Sequence, residues 1–376
     1  MSQVDFAQNP VPQTAADGES ADRIRQKESW RDKLDFGFGR EVSIRQVLKT
    51  LTWRRLWNAV KILSSFILSG ISRRNIVWGV PPIVNIEPTN ICNLRCPLCI
   101  TGSKQMKRPY GRMDFAMFKK MIDQVADRII YVTLYHQGEP YLHPSFNEFV
   151  AYAKQKGVYV TTSTNAHYFD EAMADEVVRS GLDSMIISLD GVTQQSYAHY
   201  RRGGDLDKVL DGVRNLVAAR KRLNSRTPYL FLQFLVMKHN EHEIPAIRSL
   251  ASSLGVDRLL IKTTQVMTLE EAREWLPENE RYRRYSVTAD EFTVKRGGKG
   301  LCPRLWLTTL IDWDGQVVPC CFDKNGEWAM GDLRRENNFL RIWQDEKYNS
   351  FRRQMLKDRN AIDICRNCNY GIGIFK

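Results

Sequence analysis

Residues 83–99 read IVNIEPTNICNLRCPLC. The run Ile83 to Ile86 has the β-branched composition of a buried strand. Glu87-Pro88 ends it, and Cys92, Cys96 and Cys99 follow in a C-x₃-C-x₂-C spacing. Three thiolates directly after a strand form a metal-binding loop. Outward from this strand the same unit recurs. Further strands are predicted at 131–136, 159–165, 184–190, 229–237 and 258–264. Between them lie amphipathic helical stretches at 115–128, 146–157, 171–181, 207–222 and 244–255, several closed by a glycine. Alternation of this kind builds parallel βαβ units. The fold class expected is α/β, a partial (β/α)₆ TIM-like barrel with a small C-terminal unit, an open doubly wound sheet being the alternative. In either form, functional residues gather at the carboxyl ends of the strands.

The flanks differ in character. Residues 1–28 are polar and aperiodic and read as a disordered tail. Residues 29–80 form a basic amphipathic segment in which Val47, Leu51, Leu56, Val60, Leu63 and Ile67 recur at helical spacing. Between residues 40 and 80, eight bases against the single acid Glu41 carry seven of the twelve net positive charges of the chain. The longest uncharged run there, Ile62 to Ser72, falls short of the roughly 20 residues needed to span a bilayer. The barrel is assigned to 81–267, and a linker with the C-terminal unit to 268–376.

At 376 residues, 43% hydrophobic and 26% charged, the composition excludes wholesale disorder, collagen and a multi-span membrane protein. Eight cysteines are too few for a disulfide scaffold in a chain this long, and no charged-then-apolar leader opens it. A cytoplasmic, reducing location is expected. No dinucleotide fingerprint or phosphate loop occurs. His239 and His242 lack a carboxylate or cysteine partner in sequence and read as structural.

Three cysteines leave one iron of a four-iron cube without a protein ligand, so that a small molecule can bind it. In this loop, placed after the first strand of a partial barrel, the chain resembles the radical S-adenosylmethionine (SAM) superfamily. The resemblance implies a 4Fe-4S cluster at Cys92, Cys96 and Cys99 whose open iron is chelated by SAM. It also implies reductive cleavage of SAM to a 5′-deoxyadenosyl radical, which abstracts a substrate hydrogen. It carries SAM contacts onto Gly138 and Glu139 in QGEP, Ser163 and Asn165 in STN, Ser188 in SLDG and Arg201 in YRR. Each has a plainer reading: a turn, a helix cap or a solvated charge. Arg202 rivals Arg201, and Val236, at a position the resemblance offers to adenine, reads first as core. A zinc knuckle or simple electron-transfer cluster is the alternative at the cysteines.

A second group follows the barrel. Twelve residues separate Cys302 from Gly315 and four separate Gly315 from Cys320, and Cys365 and Cys368 form a C-x-x-C. Asp314-Gly315 is a hairpin dipeptide that draws Cys302 and Cys320 together. This pattern resembles the SPASM or twitch extension of the same superfamily and implies one auxiliary 4Fe-4S cluster fully ligated by these four residues. Structural zinc remains the alternative, and Cys321 is left over. A closed auxiliary cluster suits electron transfer, hence a net oxidation such as dehydrogenation or cross-linking. The partners implied are a reductant such as flavodoxin or ferredoxin and a lipid-like, pigment-like or peptide substrate, with no nucleic acid. The segment 45–72, with Trp53, Trp57 and Phe66, fits peripheral membrane contact or packing against the barrel. A non-enzymatic iron–sulfur carrier or zinc-held binding protein is the other function class.

Overall fold

The computed structural model describes residues 44–295 and 301–368; the tail expected at 1–28 lies outside the described residues. All six predicted strands form: β1 (Ile83–Ile86), β2 (Tyr131–Leu134), β3 (Tyr159–Thr164), β4 (Ser184–Ser188), β5 (Tyr229–Val236) and β6 (Arg258–Thr263). Each pairs in parallel with the next, in registers such as Ile83↔Tyr131 and Ser184↔Tyr229. Helices α1 (Ile44–Lys49) and α2 (Trp53–Ser72) precede the sheet. The crossovers are α3 (Phe115–Val125), α4 (Phe146–Gln155), α5 (Glu171–Arg179), the short α6 (Gln194–Tyr200) with α7 (Leu206–Arg222), and α8 (Ile244–Leu254). Asp114, Asp170 and Asp205 cap α3, α5 and α7 by accepting from backbone N–H groups, which satisfies donors the helix leaves open. Their apolar faces pack on the sheet: Phe118, Phe149, Val177, Val213 and Ile247 are fully buried with Val132, Val160, Ile187 and Leu232. Each such side chain contributes about 1.5–3 kcal/mol.

The C-terminal unit is less separate than the sequence implied. After α9 (Leu269–Trp275), the hairpin of β7 (Tyr285–Val287) with β8 (Phe292–Val294), and α10 (Arg304–Leu307), strand β9 (Thr308–Ile311) pairs in parallel with β1. Strand β10 (Gln316–Val318) then returns antiparallel and β11 (Gly331–Asp332) pairs with it. The result is one nine-stranded sheet in the order β11-β10-β9-β1-β2-β3-β4-β5-β6. Strand β1 has a second pairing edge, and the wholly buried Thr308–Ile311 fills it. Gly315, at φ +88, makes the expected turn.

Helix α2 turns its apolar side outward. Its buried face holds Arg55, Asn58, Ser65 and Ser69 besides Ile62 and Phe66, while Leu56, Val60, Leu63 and Ile67 face outward. The surface it covers explains this. Arg55 donates to the carbonyls of Ala126 (2.8 Å), Lys156 (2.8 Å) and Gly157 (2.5 Å). Asn58 donates to those of Val80 (2.9 Å) and Arg128 (3.1 Å). These residues lie in the loops entering β1, β2 and β3, where backbone oxygens require donors rather than apolar cover. Helix α2 therefore lies across the amino ends of the strands. Among the described residues, no helix is long and apolar enough to cross a membrane.

Candidate functional site

The cysteine loop leaves the carboxyl end of β1 and is held from several sides. Glu139 N donates to Ile91 O (2.8 Å), Asn165 Nδ2 to Asn93 Oδ1 (2.8 Å) and Arg95 N to Arg202 O (2.9 Å). Asn90 donates to Pro109 O (2.8 Å) and accepts from Gly111 N (2.9 Å). The ends of β2 and β3 and the segment beyond β4 thus fix where the thiols sit. Cys96 is buried, and Cys92 and Cys99 are half-buried. Burial pushes the Cys92 thiol up to about 12 and that of Cys96 up to about 11, the Arg201 charge pulling the latter back. Ionising these thiols takes a bound cation, whose arrival displaces their protons.

The donor spacing tells a cluster from a single ion. A zinc ion about 2.3 Å from each sulfur holds tetrahedral ligands about 3.8 Å apart. Among the described residues, no three thiol sulfurs lie within 4.8 Å of one another. Neither cysteine group is drawn as tightly as a single tetrahedral ion requires.

Gly138 approaches backbone closely, as its residue type suggested. At φ +77 it lies in the left-handed region, and a Cβ there would meet Thr89 O at 2.6 Å and Ile91 O at 2.7 Å. What it approaches is the root of the cysteine loop. Glu139 is spent internally: its carboxylate accepts from Thr164 Oγ1 (2.7 Å), Asn165 N (2.7 Å) and Tyr141 N (3.2 Å). The side chain therefore binds β2 to β3. Burial outweighs these donors and raises its pKa to about 7. Ser163 is half-buried on β3, and Ser188 is buried at the end of β4. Arg201 Nε donates to Asp190 Oδ2 (2.6 Å), and Asp190 Oδ1 accepts from Leu235 N (2.7 Å). The guanidinium is thereby held next to Cys96, whereas Arg202 is exposed. Val236 is core. His239 packs on His199, ring centroids 4.4 Å apart, with burial drawing its pKa down to about 4.

A buried polar cluster escaped the sequence reading. Arg108 grips Glu87 through two bonds of 2.6 Å and lies 3.6 Å from Asp312, with His136 alongside. One guanidinium serves two carboxylates and is committed to Glu87, so burial and the Glu87 charge push the Asp312 carboxyl up. Burial also keeps His136 neutral. Asp312 Oδ1 and His136 Nε2 lack hydrogen-bond partners. The four residues come from the ends of β1, β2 and β9 and from the segment after Cys99, over 220 positions apart in sequence. Only Glu87, one residue past β1, carried a local signal.

The auxiliary cysteines converge through the hairpin. Cys302 precedes α10, Cys320 follows β10, and Cys365 and Cys368 lie in and beyond α14 (Asp363–Arg366), which follows α11 (Leu333–Glu336), α12 (Phe339–Gln344) and α13 (Glu346–Lys357). Burial pushes Cys365 up to about 12, with Cys302 and Cys368 adding to it; burial likewise raises Cys320, with Cys321 and Cys302 adding. Cys302 thus neighbours both halves of the set. Cys321 accepts from Arg304 Nη1 at 3.3 Å. The two groups share a wall: beyond Cys99, Lys107 N donates to Asn325 Oδ1 (3.1 Å) and Arg108 Nε to Lys324 O (2.9 Å), on the turn after Cys321.

Residues 86–251 match the family model of the radical SAM superfamily, and residues 302–369 that of an iron-sulfur cluster-binding domain. The tungsten-containing aldehyde ferredoxin oxidoreductase cofactor-modifying protein of Pyrococcus furiosus is 25% identical over 76% of this chain and 86% of its own. The Fe-coproporphyrin III synthase of Methanosarcina barkeri is 29% identical over 70% of this chain and 74% of its own. Among solved structures, Streptococcus suis SuiB bound to precursor peptide SuiA superposes with a TM-score of 0.57 at 14% identity, covering 84% of this chain and 76% of that one. That likeness is one of fold.

Proposed function

Because the chain belongs to the radical SAM superfamily and ends in an iron–sulfur cluster-binding domain, we propose that it couples reductive cleavage of SAM to a net two-electron oxidation of its substrate. A four-iron cluster at the first cysteine loop, once reduced and carrying SAM, supplies the electron for sulfonium cleavage and hence the means of hydrogen abstraction. Cys92, Cys96 and Cys99 hold that cluster. Arg201, tethered by Asp190, offers its remaining donors to the SAM carboxylate, a geometry guanidinium suits. Gly138, Ser163, Asn165 and Ser188 line the strand ends around it, with Glu139 holding β2 and β3 in register.

The observation that carries the oxidative reading is the Glu87–Arg108–Asp312–His136 cluster in the wall common to both centres. Bound SAM would supply the acceptor for one substrate hydrogen atom. Cys302, Cys320, Cys365 and Cys368 would hold an auxiliary cluster able to take one electron from the substrate, while Asp312 would take one proton. Burial and the Glu87 charge raise the proton affinity of Asp312, and neutral His136 lies beside it. Arg108 keeps Glu87 ionised and out of competition. Of the substrate classes the sequence leaves open, we carry forward a peptide, since SuiB, of similar fold, binds one. A small electron carrier of flavodoxin or ferredoxin type supplies the first electron.

Anaerobic reconstitution tests the reading. The protein should hold about eight irons per chain in two cubanes and form 5′-deoxyadenosine from SAM with dithionite. Cys96→Ala should abolish that product while keeping the auxiliary centre, and Cys365→Ala should do the reverse. Full iron loading without SAM cleavage would instead favour an electron carrier.

A further inference from the structure

Helix α2 presents solvent with a side more apolar than the one it buries. Trp53 is 74% exposed, Trp57 49%, Leu56 and Val60 44%, Ile67 47% and Ile71 68%. Leu48, on α1, and Trp78, beyond α2, are exposed nearby. Single exposed apolar residues are ordinary, but a continuous helical stripe with aromatics is an interaction surface. Trp53 and Trp57 stack at 6.2 Å, and Lys61 lies over the Trp57 ring at 5.6 Å.

The charge around this stripe selects the partner. From Val42 to Val80 the chain has seven bases and no acid. Arg55 is buried and Arg54 pairs with Asp127 at 3.5 Å; of the other five, Arg45 and Lys49 precede α2, and Lys61, Arg73 and Arg74 lie on it or just past its end, beside the apolar stripe. A protein partner for so uniformly basic a rim must be acidic around an apolar centre. An anionic lipid surface supplies both features at once, with headgroups for the bases and acyl chains for Leu56, Val60, Leu63 and Ile67, the tryptophans resting at the boundary.

We propose that α2 docks the enzyme peripherally on an anionic membrane, with the amino ends of the strands toward the bilayer and the Cys92–Cys99 loop facing away from it. The orientation follows from the buried side of the helix. Arg55 and Asn58 bolt α2 to the loops entering β1, β2 and β3, and Trp306, entering β9, donates to Ile76 O at 2.9 Å. The cysteine loop leaves the opposite end of β1. Substrate and reductant would then approach from the aqueous side, and the bilayer would locate the enzyme without feeding its site.

Flotation of the full-length holoprotein with vesicles of phosphatidylcholine and phosphatidylglycerol, or of phosphatidylcholine alone, tests this. The wild type should float with the anionic vesicles, less at high salt, and stay below with the neutral ones. A Leu63→Glu, Ile67→Glu variant should lose partitioning by about 100-fold while cleaving SAM at the wild-type rate. On vesicles, amide exchange should slow at residues 53–78 and not at 92–102. Failure of the wild type to float overturns the proposal, whether a second copy or residues 1–43 of the same chain take the face instead. Slowed exchange at 92–102 overturns the orientation.

Discussion

Gly138→Ala should disable the first cysteine centre while leaving the second intact. The added methyl would sit 2.6 Å from Thr89 O, 2.7 Å from Asn90 C and 2.7 Å from Ile91 O, all backbone, so no side chain can swing aside to relieve it. Holding an alanine at φ +77 costs about 1–2 kcal/mol. Retreat of the loop also breaks the Glu139 N to Ile91 O bond of 2.8 Å, about 1 kcal/mol more. Together roughly 2–3 kcal/mol act against the productive loop position, which corresponds to about 30- to 150-fold in its population. The assay is dithionite-dependent 5′-deoxyadenosine formation per auxiliary cluster, the latter counted by spin quantitation. The expected outcome is a loss of product in that range with the auxiliary signal unchanged. Wild-type turnover in the variant would show that the close approach of β2 to the loop does not position the thiols.

Arg108→Met should lower stability by about 3–5 kcal/mol, because it leaves Glu87 as an uncompensated buried carboxylate; Arg108→Met with Glu87→Gln should recover much of that in urea unfolding. Arg55→Met strips carbonyl oxygens of Ala126, Lys156 and Gly157 of their donor, and should cost about 2–4 kcal/mol by the same measurement. Glu139 has a folded pKa near 7, above its ordinary value of 4.5. Its proton therefore contributes stability that is present below pH 4.5 and lost as pH rises through 7, on the order of 3 kcal/mol; Glu139→Gln should flatten that part of the pH profile. Asp190→Asn removes the anchor of Arg201 and should raise the SAM concentration needed for half-maximal cleavage by about tenfold, with little change in iron content.

What the sequence revealed, and what it concealed, follows from range. The six strands and their crossover helices were legible because Val132, Phe118 and their counterparts recur at the local periods of strand and helix. The two cysteine groups were legible because Cys92 to Cys99 and Cys365 to Cys368 are spaced within a turn or two, and Asp314-Gly315 folds the remaining pair together. The Arg108–Glu87–Asp312–His136 cluster was hidden because its members meet only when β9 joins β1, and nothing near Asp312 announces that pairing. The tie from the Glu139 carboxylate to Thr164 and Asn165 was hidden likewise, because it joins β2 to β3 across 25 residues. Helix α2 showed its amphipathicity but not its direction, since the carbonyl-rich surface receiving Arg55 and Asn58 is built from three separate loops.

The account rests on a cluster at Cys92, Cys96 and Cys99 with one iron open to SAM. In a Cys365→Ala variant stripped of the auxiliary signal, electron paramagnetic resonance of the reduced protein isolates that centre. Adding SAM should shift its g values, and SAM carrying an ¹⁷O-labelled carboxylate should produce a hyperfine coupling. A spectrum that stays the same with and without saturating SAM would contradict the central claim.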